Sequence, residues 1–248
     1  MDEKYWDTVA ADYDGEIFSA LASDRNEVIV SAIQRFGSKD SAACDFGCGV
    51  GKFLPALAEN FGSVYAFDLS RELLEQARQS CRKLRNIRFA KEDLSQKNAK
   101  IPMADFGLCV NVLIMPSRNV RIAVFNTITK KLRPGAHLVL VVPSLESVLL
   151  SDYRLIQWNL KQGFSYDEAV EDFDNSSDAS LRQGLVEIDN VSTKHYLKEE
   201  LIAFLKDKPF DIETIEKVEY AWDTEFDSPP KWMKEPYPWD WLLILRKR

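Results

Sequence analysis

Apolar and polar segments alternate in a regular pattern along residues 41–142. Runs such as 63–67 have the length of a buried strand, whereas the segments that follow them space their apolar residues at helical intervals. We predict strands at 41–46, 63–67, 87–90, 106–110 and 138–142, and helices at 52–60, 71–84 and 120–132. Ser70 is a candidate N-cap of the helix at 71–84. Strands that alternate with helices predict a parallel sheet.

The alternation ends after Pro143. Residues 145–161 have the pattern of one more helix, and residues 168–180 are acidic with few apolar side chains, so we interpret 145–192 as an insertion. Three later elements are predicted, a helix at 198–206 and strands at 210–222 and 239–245. A proline-rich loop separates these two strands, which predicts an antiparallel hairpin at the end of the sheet.

Composition and charge narrow the class of protein. A chain of 248 residues with 46% hydrophobic residues can form one α/β domain. A net charge of -7 argues against a nucleic-acid partner, because such binding depends on many Lys and Arg contacts. The acidic start lacks a secretion signal and no run reaches the roughly 18 apolar residues of a spanning helix, so we expect a cytoplasmic protein with no membrane association.

The cysteines do not predict a metal site. Cys44 and Cys48 form a C-x3-C pair, but only His137 and His195 could complete a zinc set, and both are distant in sequence. We therefore predict no metal. Three of the four cysteines lie in apolar or glycine-rich surroundings, where cysteine behaves as a small hydrophobic residue, and this agrees with a reducing compartment.

The strongest chemical signal is a turn with three alternate glycines. Gly47, Gly49 and Gly51 follow a buried strand, where glycine permits positive φ and lets a ligand approach the backbone. The alternative is a tight turn without a ligand. Asp68 ends the next strand about 20 residues later, where a carboxylate can accept ribose hydroxyls. A dinucleotide fingerprint would need its third glycine at position 52, which is Lys52.

The sequence Asp45-Phe46-Gly47-Cys48-Gly49-Val50-Gly51 resembles the first motif of the class I, Rossmann-like S-adenosylmethionine-dependent methyltransferases, an acidic residue followed by x-G-x-G-x-G. Further similarities lie at Asp68, at Glu92-Asp93-Leu94, at 105–111, at Leu132-Arg133-Pro134-Gly135-Ala136, and in an N-terminal pattern formed by Tyr5, Trp6, Asp7, Ala10, Tyr13 and Asp14. That N-terminal pattern is similar to the small-molecule members.

The resemblance implies a doubly wound, mostly parallel seven-stranded sheet. It also implies a C-terminal antiparallel hairpin, an N-terminal helical cap and a helical insertion before the sixth strand. We expect one methyltransferase domain over 1–248, with a cap at 1–40, a cofactor-binding core at 41–144, a substrate-side insertion at 145–192 and a C-terminal part at 193–248. The cofactor is expected to be S-adenosyl-L-methionine. The implied binding residues are Tyr13, Asp45, Gly47, Cys48, Gly49, Gly51, Asp68, Leu69, Asp93, Leu94 and Asn111.

Glu92 and Asp93 have an ordinary solvated loop as their alternative interpretation. Glu92 also stands where the family more often has glycine.

The acceptor side is less specified, and we expect a small molecule there. His195 is the candidate base, although a packing or surface histidine is the alternative. Tyr153, Trp158, Tyr196 and Trp222 are candidate substrate residues, with a place in the core as their alternative.

Two other functions stay open on the sequence. One is a non-catalytic protein that binds a partner through the acidic stretch at 167–178, and the other is an NAD-dependent oxidoreductase. No pattern in the sequence indicates an oligomeric state.

Overall fold

The computed structural model describes residues 2–13, 19–96, 99–170, 178–188 and 190–248. Within these ranges, seven strands form the main sheet and two form a small separate one. The strands are β1 Ala42–Phe46, β2 Ser63–Asp68, β3 Ile87–Lys91, β4 Ala104–Val110, β5 Leu132–Pro143, β6 Leu185–Ile188, β7 Val191–Lys194, β8 Phe210–Glu219 and β9 Trp239–Lys247.

The main sheet has the strand order β3-β2-β1-β4-β5-β9-β8. The pairs from β3 to β5 are parallel, whereas β9 is antiparallel to both β5 and β8. The predicted fold class, a mostly parallel seven-stranded sheet that ends in an antiparallel pair, is confirmed. Because β9 runs backwards, its first residues lie at the edge where the parallel strands end, and Asp240 is level with Pro143 of β5.

Helices cover both faces of the sheet. They are α1 Glu3–Val9, α2 Ala20–Ser23, α3 Val28–Phe36, α4 Leu54–Asn60, α5 Arg71–Ser80, α6 Arg118–Lys131, α7 Leu145–Gln162, α8 Tyr166–Ala169, α9 Asp178–Leu181 and α10 Lys198–Leu205, with short 3-10 turns at Ala10–Asp12 and Trp222–Thr224. Ser70 caps α5 as predicted, since its hydroxyl accepts the Leu73 N–H at 3.1 Å.

The central strands are buried on both sides, which explains their continuous apolar sequences. In β5, Leu138, Leu140 and Val142 belong to the core on one face, and Val139 and Val141 belong to the core on the other. All four cysteines are free and buried within these cores.

The predicted insertion at 145–192 contains more than helices. Its long helix α7 matches the prediction, but β6 and the first half of β7 belong to a hairpin that the sequence analysis did not identify. Part of the acidic stretch at 167–178, namely residues 171–177, lies outside the described residues, as does Asp14 of the N-terminal pattern. The predicted strand at 210–222 ends at Glu219, because Trp222 begins a 3-10 turn.

The N-terminal helix α1 is fastened to the sheet edge by polar contacts. Ser70 Oγ donates to Asp7 Oδ1 at 2.5 Å, and Glu3 forms an ion pair with Lys91. None of the helices in the described ranges is both long and apolar enough to cross a membrane.

Candidate active site

A cavity of about 1430 Å³ lies at the edge where the parallel strands end. Its walls come from the turn after β1, the ends of β2 and β4, the start of α7, the start of β9 and helix α1. The strand order reverses between β1 and β4, and open α/β sheets bind ligands in the crevice at such a reversal. The volume exceeds the roughly 300–1,000 Å³ of an ordinary ligand pocket, so it has room for two molecules.

The glycine turn forms one wall of this cavity. Gly47 and Gly49 have φ of 79° and 52°, in the left-handed region that favours glycine. The N–H groups of Gly47 and Cys48 donate to the carbonyl of Phe67, at 2.8 and 2.9 Å, which fastens the turn to the end of β2. A Cβ at Gly49 would lie 2.7 Å from the hydroxyl of Tyr13, another cavity residue.

Gly51 has a different role from the one that the resemblance implied. It does not line the cavity, and a Cβ there would meet Leu54 at 2.9 Å and Ala77 at 3.1 Å. Gly51 therefore allows α5 to pack closely on the turn. The other ten implied cofactor residues, including Leu69 and Leu94, all line the cavity.

Asp68 connects the glycine turn with the start of α5. Its Oδ2 accepts the Gly49 N–H at 2.8 Å and its Oδ1 accepts the Ser70 N–H at 2.9 Å. Burial raises the pKa of this carboxyl, while the backbone hydrogen bonds oppose the shift. An ionised carboxylate offers about four lone-pair sites, so each oxygen can still accept a ligand hydroxyl.

Asp45, at the end of β1, is a buried carboxyl with an unsatisfied oxygen. It is 3% exposed, it lines the cavity, and its Oδ2 has no hydrogen-bond partner among the described residues. Burial and then the charge of Asp68 raise its pKa to about 8. A buried acceptor without a donor is costly, which indicates that a ligand supplies the donor.

Asp93 lies in the loop after β3, beside Glu92 and Leu94, and all three line the cavity. Its Oδ1 accepts both the N–H and the hydroxyl of Ser95, at 2.8 and 2.7 Å, and its Oδ2 accepts from Gln96. Partial burial would raise the pKa of Asp93, but these hydrogen bonds outweigh it and lower the pKa. The carboxylate thus shapes its own loop.

Asn111 joins the two halves of the cavity. It follows β4 with φ of 53°, and its Nδ2 donates to Asp240 Oδ2 at 3.1 Å. Tyr220 donates its hydroxyl to the same oxygen at 2.8 Å. Burial raises the pKa of Asp240, and the two hydrogen bonds work in the opposite direction. Asn111 Oδ1 has no partner in the described part of the chain.

Beyond Asn111 the wall is built from hydroxyl and acidic side chains. Ser144, Ser147 and Ser151 follow one face of α7 at helical spacing and are buried at the cavity. Ser147 Oγ accepts the Trp239 N–H at 2.8 Å, and Ser151 Oγ donates to Glu225 Oε2 at 3.1 Å.

His195 also lines the cavity, after β7. Its Nδ1 lies 3.1 Å from the Thr193 carbonyl, which makes this nitrogen the donor and leaves Nε2 as an acceptor. Burial lowers its pKa to about 4, although the hydrogen bond to Thr193 opposes the shift. The imidazole is therefore neutral near pH 7.

The four candidate substrate aromatics do not line this cavity. Tyr153 is exposed on the surface of α7, and Trp158 packs on Phe226. Tyr196 is buried and donates to the Leu113 carbonyl at 2.6 Å, and Trp222 is buried with its Nε1 bonded to the Lys234 carbonyl. The structure thus places these four residues outside the cavity, and packing or hydrogen bonds account for the positions of Trp158, Tyr196 and Trp222.

The sequence analysis missed most of the wall beyond Asn111. The missed residues are Ser144, Ser147, Ser151, Tyr220, Glu225 and Asp240. The serines could have been found, since polar residues at i, i+3 and i+7 mark one face of a helix. Asp240 offered a weaker signal, a carboxylate between two tryptophans at the start of an apolar strand.

Residues 43–135 match a family model described as a methyltransferase domain. This part of the chain is therefore similar to a methyltransferase domain. The matched segment runs from β1 into the start of β5 and includes the glycine turn, Asp68 and Asn111. No curated protein matches the chain significantly by sequence.

Solved structures share the fold of this chain at low identity. An S-adenosylmethionine-dependent methyltransferase from Methanosarcina mazei is 20% identical, with a TM-score of 0.60 over 87% of this chain and 96% of that chain. The N-methyltransferase NodS from Bradyrhizobium japonicum, in complex with S-adenosylhomocysteine, is 15% identical, with a TM-score of 0.60 over 99% and 97%. The structure of a DhpI–SAM–HEP complex is 15% identical, with a TM-score of 0.62 over 98% and 94%. The fold is thus the class I, Rossmann-like methyltransferase fold.

Proposed function

We propose that this protein transfers the methyl group of S-adenosylmethionine to a small molecule. The observation that carries the proposal is Asp45 Oδ2, a buried carboxylate oxygen without a partner in the described chain, beside the glycine turn. The ammonium in the methionine part of S-adenosylmethionine would donate the hydrogen bond that this oxygen lacks. Its positive charge would also favour the ionised form of Asp45. Two solved structures of the same fold contain S-adenosylmethionine or S-adenosylhomocysteine, which supports the same donor here.

The other residues in the half of the cavity beside the glycine turn also fit S-adenosylmethionine. Asp68 keeps lone pairs for the two ribose hydroxyls, and the turn at Gly47 and Gly49 lines the cavity beside it. Leu69 and Leu94 supply apolar surface, as an uncharged adenine requires. A pyrophosphate would instead need a helix N-terminus and cations, and this half of the cavity has a single lysine, Lys52, in its described wall.

The protein's part in the reaction is to align the two reactants. The bound donor supplies a methyl carbon that its positive sulfur activates. Asn111 lies between the two halves of the cavity, and α1 lines the donor half. Alignment of this kind lowers barriers by up to roughly 7–11 kcal/mol. His195 remains a candidate base from the sequence, although a pKa of about 4 makes it a weak one.

A small acceptor suits the remaining space, because the reactive end is enclosed by α7, β9 and the β6–β7 hairpin. The acidic wall disfavours nucleic acid. The four free cysteines agree with a reducing compartment and support the cytoplasmic location that we propose.

Calorimetry with S-adenosylmethionine and S-adenosylhomocysteine tests the donor. The wild type is expected to bind both, and Asp68→Ala is expected to weaken binding at least tenfold, because hydrogen bonds to a charged group contribute about 1.5–3 kcal/mol. Asp40→Ala, which removes an exposed acid outside the cavity, is the control and should bind as the wild type does. Absence of binding at high micromolar ligand would contradict the proposal.

A second measurement separates catalysis from simple binding. The protein is incubated with methyl-labelled donor and a metabolite extract, and labelled product is expected. Donor binding without any labelled product would favour the non-catalytic, partner-binding alternative.

A further inference from the structure

The half of the cavity beyond Asn111 is lined by acidic side chains. Nine Asp or Glu side chains line the whole cavity, against one lysine and no arginine among the described residues. Asp152, Glu225 and Asp240 belong to the half beyond Asn111, where the described wall has no lysine or arginine. The bound donor has a net positive charge, but it lies over the acids of the other half.

From this wall we infer that the methyl acceptor is an amine that enters as a cation and binds between Asp240 and Glu225. The inference rests on the proposed function and names its substrate class.

The hydrogen bonds at Asp240 support the inference independently of charge. Asp240 is 8% exposed, and both hydrogen bonds that described residues give its carboxylate go to Oδ2. Its Oδ1 is left with unused lone pairs at the cavity wall, and the nearby Asn111 Oδ1 also has no partner in the described chain. A buried Asn111 Oδ1 without a donor, beside an Asp240 oxygen with free lone pairs, indicates a ligand that brings several N–H groups, as an ammonium does.

Glu225 lies in the loop after β8 and, like Asp240, lines the half of the cavity beyond Asn111. Its side chain is accessible, and Ser151 and Thr224 hydroxyls fix it through Oε2 and Oε1, at 3.1 and 3.4 Å. Desolvation by the surrounding protein is the main cause that raises the pKa of Glu225, and the negative charge of Asp240 raises it further. The hydrogen bond from Ser151 acts in the opposite direction. A cation between the two carboxylates relieves both their desolvation and their mutual repulsion.

Other ligand classes fit this wall less well. An anion would be repelled by three acids, and a neutral alcohol brings one O–H and no charge to the Asp240 carboxylate and the unpartnered Asn111 Oδ1. The described wall also has an unpartnered donor, Trp239 Nε1, which is uncharged and does not offset the carboxylates. Met115, Val148 and Leu155 add apolar surface for the carbon skeleton of the amine.

The reaction balances with the carboxylates as the proton acceptor. The bound ammonium gives one proton to the Glu225 carboxylate, which leaves a lone pair on nitrogen. That lone pair forms the bond to the methyl carbon as the carbon–sulfur bond breaks, and the electron pair of that bond stays on sulfur. The products are a methylated ammonium, a neutral sulfide and a protonated Glu225, which solvent then deprotonates.

Three matched probes test the charge preference: phenethylamine, phenethyl alcohol and 3-phenylpropionate. Each is titrated by calorimetry into protein saturated with S-adenosylhomocysteine at pH 7. The amine is expected to bind at least tenfold more tightly than the alcohol, and the carboxylate is expected not to bind. Glu225→Gln and Asp240→Asn should each weaken amine binding about tenfold, because each removes a charged acceptor. Asp223→Asn, an exposed acid of the same loop that does not line the cavity, is the control.

The outcomes distinguish this inference from the proposed function. Equal binding of amine and alcohol, or no amine binding by protein that still binds S-adenosylhomocysteine, overturns the inference and leaves the donor assignment intact. A third outcome also overturns the inference. If Glu225→Gln and Asp240→Asn weaken the binding of S-adenosylmethionine relative to S-adenosylhomocysteine but leave amine binding unchanged, the two acids stabilise the sulfonium and not the amine. Failure of the wild type to bind either donor form overturns the proposed function itself.

Discussion

At the scale of single residues, Gly49 and Gly135 separate two requirements for glycine. Both have positive φ, 52° and 81°, which costs a residue with a Cβ roughly 1–2 kcal/mol. Only at Gly49 would the added Cβ also meet another group, the Tyr13 hydroxyl, whereas at Gly135 nothing in the described chain lies within 4 Å. The first position is constrained by the cavity and the second by the backbone alone.

We therefore expect Gly49→Ala and Gly135→Ala to lower the free energy of unfolding by similar amounts, about 1–2 kcal/mol. Only Gly49→Ala should weaken S-adenosylhomocysteine binding, at least tenfold, because Tyr13 must move at the cavity wall. Urea denaturation and calorimetry measure the two effects. Equal affinity in both variants would contradict the assignment of Gly49 to the donor wall.

Asp45 predicts a coupling between pH and donor binding. Its pKa of about 8 exceeds its ordinary 3.8, so the unfolded chain releases this proton near pH 4 while the folded protein holds it to about pH 8. The free energy of unfolding should therefore fall as pH rises between these values. A donor ammonium favours the ionised form, so binding at pH 7 should release a proton.

Calorimetry in buffers of different ionisation enthalpy measures that release. Asp45→Asn should release fewer protons and lose less stability between pH 4 and 8. Asp68, whose pKa burial also raises, retains part of both effects. Unchanged proton release in Asp45→Asn would show that the donor does not contact this carboxyl.

At the scale of elements, α7 is fastened to β9 by a side-chain hydrogen bond. Ser147 Oγ accepts a hydrogen bond from the buried backbone N–H of Trp239. Ser151, on the same face of the helix, donates its hydroxyl to the accessible Glu225. Ser147→Ala leaves a buried N–H without a partner, so it should cost about 1–3 kcal/mol in urea denaturation. Ser151→Ala should cost less, because water can replace its hydroxyl at Glu225. Equal costs would mean that α7 is not held through Ser147.

Helices and strands could be predicted from the sequence where residues close together in the chain determine them. The strands of the core and the turn at Gly47 depend on apolar runs and glycine spacing within a few residues, and these were predicted well. The β6–β7 hairpin was missed because each of its strands has only four residues, of which one is buried in β6 and two in β7. Strands this short and this exposed leave almost no apolar pattern in the sequence.

In the candidate site, too, the residues set by short-range sequence patterns were predicted and those that depend on long-range contacts were missed. The donor residues are short-range features of two βα units, whereas the wall beyond Asn111 requires Ser147 and Trp239 to meet across 92 positions of sequence. Aromatic residues such as Trp222 could not be assigned from sequence, because a tryptophan is equally suited to a core and to a pocket.

At the scale of the whole molecule, we propose that one cavity binds both donor and acceptor, so ligand binding should stabilise the entire domain. S-adenosylhomocysteine at 100 times its Kd should add about 2.7 kcal/mol. For a chain of this size each kcal/mol raises Tm by about 2–4 °C, which gives a rise of about 5–10 °C in thermal unfolding. NAD at the same concentration should give no rise. Protection by NAD alone would favour the oxidoreductase alternative.

The reversed direction of β9 has a consequence for how specificity can change. Apart from α1 and Tyr13, the proposed donor wall comes from the stretch between Asp45 and Asn111. The opposite wall is assembled from the start of α7, the loop after β8 and the first residues of β9. Grafting those later segments from another member of the fold should exchange the acceptor while the donor stays the same.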